Sequence, residues 1–180
     1  MVAVLLADGF EEIEALTPVD MLRRADIKTV TASVGTDTTV RGAHGITVTA
    51  DTLADGLVGS DIDMLVLPGG MPGALNLDAS RTVDRLIREV CDGGGRLAAI
   101  CAAPLILGRR GLLDGKRAVC YPGFEGELVG AEILDAPVVT DGLITTAKGM
   151  GAALAFAKEL VALLSSKEKA DTLAKGICEN

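Results

Sequence analysis

The feature that most constrains the fold is a succession of short apolar runs that alternate with helical patterns. Val2–Ala7, Met64–Leu67 and Leu97–Ile100 are continuous apolar stretches of strand length. Strands that are apolar on both faces are typical of a parallel sheet covered by helices on each side. The sequence therefore predicts an α/β fold with a mostly parallel sheet and helices on both faces.

Hydrophobic periodicity predicts the other elements of the chain. A proline inside the first helix, Pro18, predicts a kink or a late regular start there. No linker, low-complexity run or internal repeat divides the 180 residues, so we expect one domain spanning residues 1–180. The predicted helices are Glu11–Arg24, Ser80–Cys91, Ala102–Arg109, Ala152–Leu164 and Ser166–Gly176; the further strands are Lys28–Val34, Arg117–Cys120, Val138–Thr140 and Leu143–Thr146, and Thr39–Arg41 with Ile46–Thr49 form a hairpin.

The composition argues against nucleic-acid and membrane partners. The net charge is −8, which repels phosphate backbones, and three Phe, one Tyr and no Trp offer few rings for base stacking. The apolar start, Met1–Ala7, is too short to cross a membrane and lacks the basic flank of a signal peptide. We therefore expect a cytoplasmic protein.

The four cysteines have irregular spacing and form no CxxC pair, so reduced thiols are expected. With a single histidine in the chain, His44, few ligands are left for zinc, and no metal site is predicted. Lys148–Gly151 precedes a predicted helix and suits an anion, but it lacks the spacing of the nucleotide-binding glycine motifs. No cofactor is expected.

The predicted sheet indicates where chemistry is to be found. Sites in open α/β sheets form beyond the carboxyl ends of the strands, and the loops there meet although they are distant in sequence. Candidate loops that each follow an apolar strand are Ala7–Glu14, Pro68–Gly73, Cys101–Pro104 and Lys148–Gly151.

Cys101 directly follows an apolar strand and precedes small residues, so a sharp turn can project its sulfur. This resembles a nucleophile elbow without the usual glycines. A helix beginning at Cys101 or Ala102 would aim free N–H groups at the sulfur and lower the pKa of the thiol. The alternative is a small buried side chain at a strand end, and position alone does not decide between the two.

Three acidic residues, Glu11, Glu12 and Glu14, open the first helix. Dipole complementarity and a solvated face explain Glu11 and Glu12 well. Glu14 lies among apolar residues, and burial in the crevice would raise its pKa and let it exchange a proton with Cys101. The sequence alone does not choose among the three acids.

Two glycines, Gly69 and Gly70, follow the strand Met64–Leu67. Glycine lets backbone N–H groups approach a ligand closely, and together with the N–H of Ala102 they could form an oxyanion hole. An ordinary turn is the alternative for both glycines.

Taken together, several motifs in order resemble the ThiJ/PfpI family, in particular the branch that contains the Parkinsonism-associated deglycase and its bacterial relatives. The resemblance runs from the first strand to the helix that ends near Leu164. The matching segments are Ala3–Asp20 (AVLLADGFEEIEALTPVD), Val66–Gly70 (VLPGG), Leu97–Pro104 (LAAICAAP) and Thr145–Gly151 (TTAKGMG).

The resemblance implies a flavodoxin-like sandwich and a homodimer. It also implies a reactive cysteine on the elbow, matched by Cys101, and a glutamate hydrogen-bonded to it, matched by Glu14. The oxyanion-hole amides of the family correspond to those of Gly70 and Ala102. Family members are described as cofactor-free glyoxalases or protein deglycases, oxidative-stress sensors, chaperones and, in another branch, intracellular peptidases.

The chain departs from the family pattern where relatives carry histidines. Human-type relatives have a histidine at the position of Tyr121, and the peptidase branch has one at the position of Ala102. His44 falls in the hairpin, near where relatives place an arginine that reaches toward the pocket; the alternative is a surface histidine. Cys120 is a candidate second thiol near the pocket, and a buried core cysteine is its alternative.

These observations leave three hypotheses. The first is a cofactor-free enzyme for small reactive carbonyls or glycated groups, with Cys101 as nucleophile and Glu14 as acid and base. The second is an oxidative-stress sensor or chaperone that works through Cys101 oxidation. The third, an intracellular cysteine peptidase or amidase, is the weakest because no histidine adjoins the nucleophile.

Overall fold

The computed structural model describes residues 1–178, and in them one large sheet forms the centre of the fold. Its strand order is β10-β11-β7-β6-β1-β2-β5, and every neighbouring pair is parallel except β10 with β11. The strands of this sheet are β1 (Val2–Leu6), β2 (Thr29–Ser33), β5 (Thr52–Leu53), β6 (Met64–Leu67), β7 (Arg96–Ile100), β10 (Val138–Asp141) and β11 (Ile144–Ala147). The predicted mostly parallel sheet is confirmed.

Two small sheets lie beside the main one. The antiparallel hairpin pairs β3 (Thr39–Arg41) with β4 (Thr47–Thr49), as the sequence predicts. A short parallel pair joins β8 (Arg117–Ala118) to β9 (Glu132–Ile133).

Helices cover both faces of the main sheet: α1 (Glu12–Arg24), α2 (Gly73–Asp78), α3 (Arg81–Asp92), α4 (Pro104–Arg109), α5 (Ala153–Leu164) and α6 (Lys167–Gly176). Alternate residues of β1 point to opposite faces. Val2, Val4 and Leu6 pack in one core with residues of α1 and α5. Ala3 and Leu5 pack in the other core with residues of α2, α3 and α4. Because both faces are buried, the strands are apolar throughout.

The structure differs from the predicted elements in a few places. α1 runs from Glu12 to Arg24 with Pro18 inside it, so a late helix start is wrong. α4 begins at Pro104 instead of at Ala102 because Cys101–Ala103 form a turn. The short elements α2, β5 and β9 were not predicted, since two to six residues are too few for a periodic pattern. Among residues 1–178, no helix has both the length and the apolar character needed to span a membrane.

Candidate active site at the Cys101 turn

Cys101 occupies a strained turn directly after β7. Its φ of 65° lies in the left-handed region, which non-glycine residues rarely adopt. Two backbone hydrogen bonds hold it there: its N–H donates to the Ala147 carbonyl at 2.9 Å, and its carbonyl accepts the N–H of Tyr121 at 2.8 Å. The structure therefore has the sharp strand-to-helix turn that the sequence predicts, and strain of this kind is concentrated at functional sites.

Glu14 reaches this turn from the first turn of α1. Its side chain is 1% exposed. Oε2 accepts the backbone N–H of Gly69 at 3.0 Å. Oε1 is buried and has no hydrogen-bond partner of good geometry within residues 1–178, while the Cys101 thiol is the side chain that interacts with the carboxyl. Of the three acids that open α1, the fold brings Glu14 to the cysteine.

The electrostatics of the pair are dominated by burial. Burial raises the pKa of Glu14 from 4.5 to about 7, the Cys101 thiol lowers it by hydrogen bonding, and the Glu11 charge raises it. Burial also raises the pKa of the Cys101 thiol, and the Glu14 charge raises it further. Because two adjacent buried negative charges repel each other, the pair keeps one proton and one negative charge above neutral pH.

Two backbone amides oppose the burial of charge on the sulfur. The N–H groups of Gly70 and Ala102 donate toward Cys101 and lower the pKa of its thiol. The sequence predicts that a helix N-terminus lowers this pKa overall, and that expectation is wrong for the thiol beside an ionised Glu14. α4 begins only at Pro104, and burial together with the Glu14 charge outweighs the two amides.

Gly69 and Gly70 are required by close packing. A Cβ on Gly69 would lie 2.5 Å from Glu14 Oε2 and 2.6 Å from Cys101 Cβ, so any side chain would separate the pair. Gly70 has a φ of 88°, and a Cβ there would overlap the backbone of Glu11. These glycines are thus more than an ordinary turn, because they let the loop after β6 pass directly beside the thiol.

The structure places His44 with the other acids of α1. Its Nδ1 lies 3.0 Å from Glu12 Oε2 and 3.5 Å from Glu11 Oε2, and its side chain is exposed. Glu12 is buried rather than solvated, which corrects the sequence-based interpretation. Its Oε1 accepts the backbone N–H groups of His44 and Ile46, so this carboxylate fixes the β3–β4 hairpin to α1.

Glu11, Glu12 and His44 are also the residues of the described chain that could hold a metal ion, with one ligand atom each and all three atoms within 4.8 Å. The hydrogen bonds of Glu12 already account for this arrangement. His44 gives no sign of reaching Cys101, since its ring is held by Glu12.

Tyr121 and Cys120 lie next to each other on the far side of the turn. The Tyr121 side chain is half exposed and lines a cavity with Gly149 and Met150. Cys120 is buried, and burial followed by the Glu125 charge raises the pKa of its thiol to about 11. Its burial, in contrast to the partly exposed Cys101, favours a core cysteine over a second reactive thiol. The sequence did not predict that Gly149 lines this cavity, because Lys148–Gly151 suggested an anion site instead.

Known proteins are similar to this chain over nearly its whole length. The model of the DJ-1/PfpI family matches residues 1–163. The chain is 37% identical to protein dj-1beta of Drosophila melanogaster, over 97% of this chain and 94% of the relative. It is 30% identical to the glutathione-independent glyoxalase DJR-1.2 of Caenorhabditis elegans, with the same two coverages.

Solved structures show the same fold. Oxidised Toxoplasma gondii DJ-1 superposes with a TM-score of 0.94 at 35% identity, covering 98% of this chain and 97% of that one. The flavodoxin-like sandwich that the sequence resemblance implies is therefore confirmed. The family match and these identities, spread over nearly the whole chain, establish that the protein belongs to the DJ-1/PfpI family.

Proposed function

We propose that this protein is a cofactor-independent enzyme of the glyoxalase and deglycase type, which converts small reactive carbonyl compounds through Cys101. The observation that carries the proposal is the buried Glu14 carboxyl beside the Cys101 sulfur, with a pKa of about 7. A carboxyl with this pKa exchanges protons readily at neutral pH. The relative named as a glutathione-independent glyoxalase supports the same chemistry.

In the first step the Cys101 sulfur adds to the aldehyde carbon of a 2-oxoaldehyde such as methylglyoxal. The S–C bond forms, and the carbonyl π electrons move to the aldehyde oxygen. Glu14 is the proton acceptor when the thiol still carries its proton. The amides of Gly70 and Ala102 are the donors that we assign to the developing alkoxide. The alkoxide then takes the proton back from Glu14, which gives a hemithioacetal.

In the second step a proton moves from the former aldehyde carbon to the neighbouring ketone carbon, and the hydroxyl proton of the hemithioacetal moves to the ketone oxygen. Glu14 is the side chain placed to remove it and return it, because it is the titratable carboxyl that the fold buries against the sulfur. The rearrangement gives a thioester of the 2-hydroxy acid. Water then hydrolyses the thioester, which restores the Cys101 thiol and releases the 2-hydroxy acid.

The test is turnover of methylglyoxal by the wild type, Cys101→Ala and Glu14→Gln. We expect Cys101→Ala to abolish turnover and Glu14→Gln to lower kcat by about 10²- to 10⁴-fold, the usual contribution of a general acid and base. Cys91→Ala is the matched control, since it removes an exposed cysteine of α3 and should leave the rate unchanged. Full turnover by Cys101→Ala would refute the proposal.

Oxidation sensing is a second candidate function. The amides of Gly70 and Ala102 that donate toward the sulfur can equally hold the oxygens of a sulfinic acid at Cys101. A solved relative, Toxoplasma gondii DJ-1, is described as oxidized. A chaperone role coupled to this oxidation is part of the same candidate.

A peptidase or amidase role has less support. In the peptidase branch, which the sequence resembles less, a histidine directly after the nucleophile is expected to serve as the base and to protonate the leaving amine. Residue 102, directly after the nucleophile, is alanine, and the single histidine of the chain is held by Glu12.

The family resemblance also implies a homodimer, and the exposed Ile13 and Ile46 beside Glu12 support that proposal. The cytoplasm remains the proposed location, and one domain remains the proposed organisation.

A further inference from the structure

Two residues that lie close to the Cys101 turn, Tyr121 and Gly149, also line a cavity of about 410 Å³. The residues that line it come from the segment after β8 and from the segment that joins β11 to α5. They are Tyr121, Pro122, Pro137, Lys148, Gly149, Met150, Gly151 and Ala152.

Tyr121 and Gly149 connect this cavity to the reactive sulfur. The Tyr121 backbone is fixed to the turn by its hydrogen bond to the Cys101 carbonyl. A Cβ added to Gly149 would lie 3.2 Å from the Tyr121 ring and 3.9 Å from Cys101 Sγ. The bare backbone of Gly149 therefore lies within reach of both the ring and the sulfur, and a molecule bound to the sulfur can extend along the ring.

The wall of the cavity is apolar and carries no free charge. Tyr121 is 50% exposed and Met150 is 55% exposed, so both offer uncovered apolar surface. Lys148 is the charged residue among those that line the cavity, and its Nζ lies 2.7 Å from Asp135 Oδ1. Exposed apolar surface beside a nucleophile is suited to an apolar part of a ligand.

We propose that Tyr121 and Met150 form a substrate subsite that binds the side group of a 2-oxoaldehyde while its aldehyde carbon reacts with Cys101. The inference rests on the proposed function for its choice of an aldehyde. The chemistry of the wall selects uncharged aromatic or bulky aliphatic side groups over a methyl group. Tyr121 therefore determines specificity. At the position where human-type relatives have a histidine, it offers the apolar surface of a ring instead of a base.

The experiment compares phenylglyoxal with methylglyoxal in the wild type, Tyr121→Ala, Tyr121→Phe and Val58→Ala. The quantity measured is kcat/KM for phenylglyoxal divided by kcat/KM for methylglyoxal. Comparing this ratio between variants cancels the different intrinsic reactivities of the two aldehydes. We expect Tyr121→Ala to lower this ratio about tenfold, mainly through the KM of phenylglyoxal, as for the loss of a hydrophobic contact.

The control variants separate a contact from a general disturbance. Tyr121→Phe keeps the ring and should keep the ratio. Val58→Ala removes an exposed apolar side chain from the segment that precedes β6, outside the lining of the cavity, and should also keep the ratio. A ratio in Tyr121→Ala within about threefold of the wild type overturns the subsite.

Alkylation distinguishes failure of the subsite from failure of the proposed function. Phenacyl bromide and bromoacetone each alkylate a thiol: the S–C bond forms, bromide leaves and the thiol proton passes to solvent. The two reagents differ only by phenyl and methyl, and mass spectrometry measures the rate at Cys101. One outcome is that the wild type turns over neither aldehyde, but that Tyr121→Ala lowers the preference of Cys101 for phenacyl bromide. That outcome supports the subsite and refutes the proposed activity. Unchanged alkylation selectivity in that variant overturns the subsite.

Discussion

Replacing Glu14 by glutamine is expected to make the protein more stable at pH 8 while it lowers activity. Glutamine has nearly the same shape as glutamate, and its carbonyl can accept the Gly69 N–H that Glu14 Oε2 accepts now. The substitution therefore changes the charge of a buried side chain and little of its packing. Its effect on stability reports the energy of burying that charge.

The magnitude follows from the pKa of Glu14, which burial raises from 4.5 to about 7. Below pH 4.5 the carboxyl is protonated in both the folded and the unfolded chain, so Glu14 contributes no pH dependence to the free energy of unfolding there. Between pH 4.5 and about 7 the unfolded chain ionises first, and the free energy of unfolding falls as the pH rises. A difference of about 2.5 in pKa corresponds to a loss of about 3 kcal/mol, which is complete above pH 7.

The assay is urea denaturation of the wild type and Glu14→Gln at several pH values from 4 to 8. The difference in the free energy of unfolding should be near zero at pH 4 and should reach about 3 kcal/mol in favour of Glu14→Gln at pH 8. Comparing two variants at each pH cancels the titration of the other groups.

Glu12→Gln is a control with the opposite sign. Burial opposes ionisation of Glu12, but hydrogen bonds from the His44 side chain and from backbone N–H groups lower its pKa overall. Its carboxylate therefore stabilises the fold above pH 4.5, and this contribution is lost as the pH falls through the lowered pKa. Glu12→Gln should destabilise the protein at pH 7. Parallel stability curves for the wild type and Glu14→Gln between pH 4 and 8 would refute the account of Glu14.

Two further predictions concern oxidation and association. With limiting hydrogen peroxide, the peptide that contains Cys101 should gain two oxygens before those of Cys91 and Cys120, because Glu14 can accept the proton of the Cys101 thiol and the Gly70 and Ala102 amides that donate toward its sulfur can hold the added oxygens. Peptide mass spectrometry measures this, and oxidation spread evenly over the cysteines would contradict it. Sedimentation velocity should find a dimer that Ile13→Lys shifts toward monomer, since a second copy would cover the exposed Ile13 of α1; a monomeric wild type would refute the dimer.

The sequence was sufficient to predict the sheet and the turn at Cys101. The apolar runs mark strands buried on both faces, and parallel strands bring their carboxyl ends to one edge. That edge is where Cys101, Gly69 and Gly70 meet, as their positions after β7 and β6 indicate.

The choice among the acids of α1 could not be made from the sequence. Residues 12 and 14 lie about 200° apart around a helix, so they cannot both face the same neighbour. Glu14 faces the Cys101 turn and Glu12 faces the hairpin, and both are buried, while the apolar Ile13 between them is exposed. Hydrophobic periodicity assigns these residues the opposite way, because tertiary hydrogen bonds rather than hydropathy determine which side chains are buried in the first turn of α1.

The same arrangement explains why aldehyde chemistry and oxidation share one cysteine. In each reaction the Cys101 sulfur is the nucleophile. In the aldehyde reaction, negative charge develops on the oxygen bonded to the carbon that the sulfur attacks. In oxidation, the negatively charged oxygens are bonded to the sulfur itself. The Gly70 and Ala102 amides donate toward that region, and Glu14 supplies or accepts the proton. The two functions then differ in what binds beside the sulfur. A peroxide needs no binding surface, whereas an oxoaldehyde gains affinity from the subsite formed by Tyr121 and Met150. Selectivity between them is therefore set by the cavity and not by the thiol.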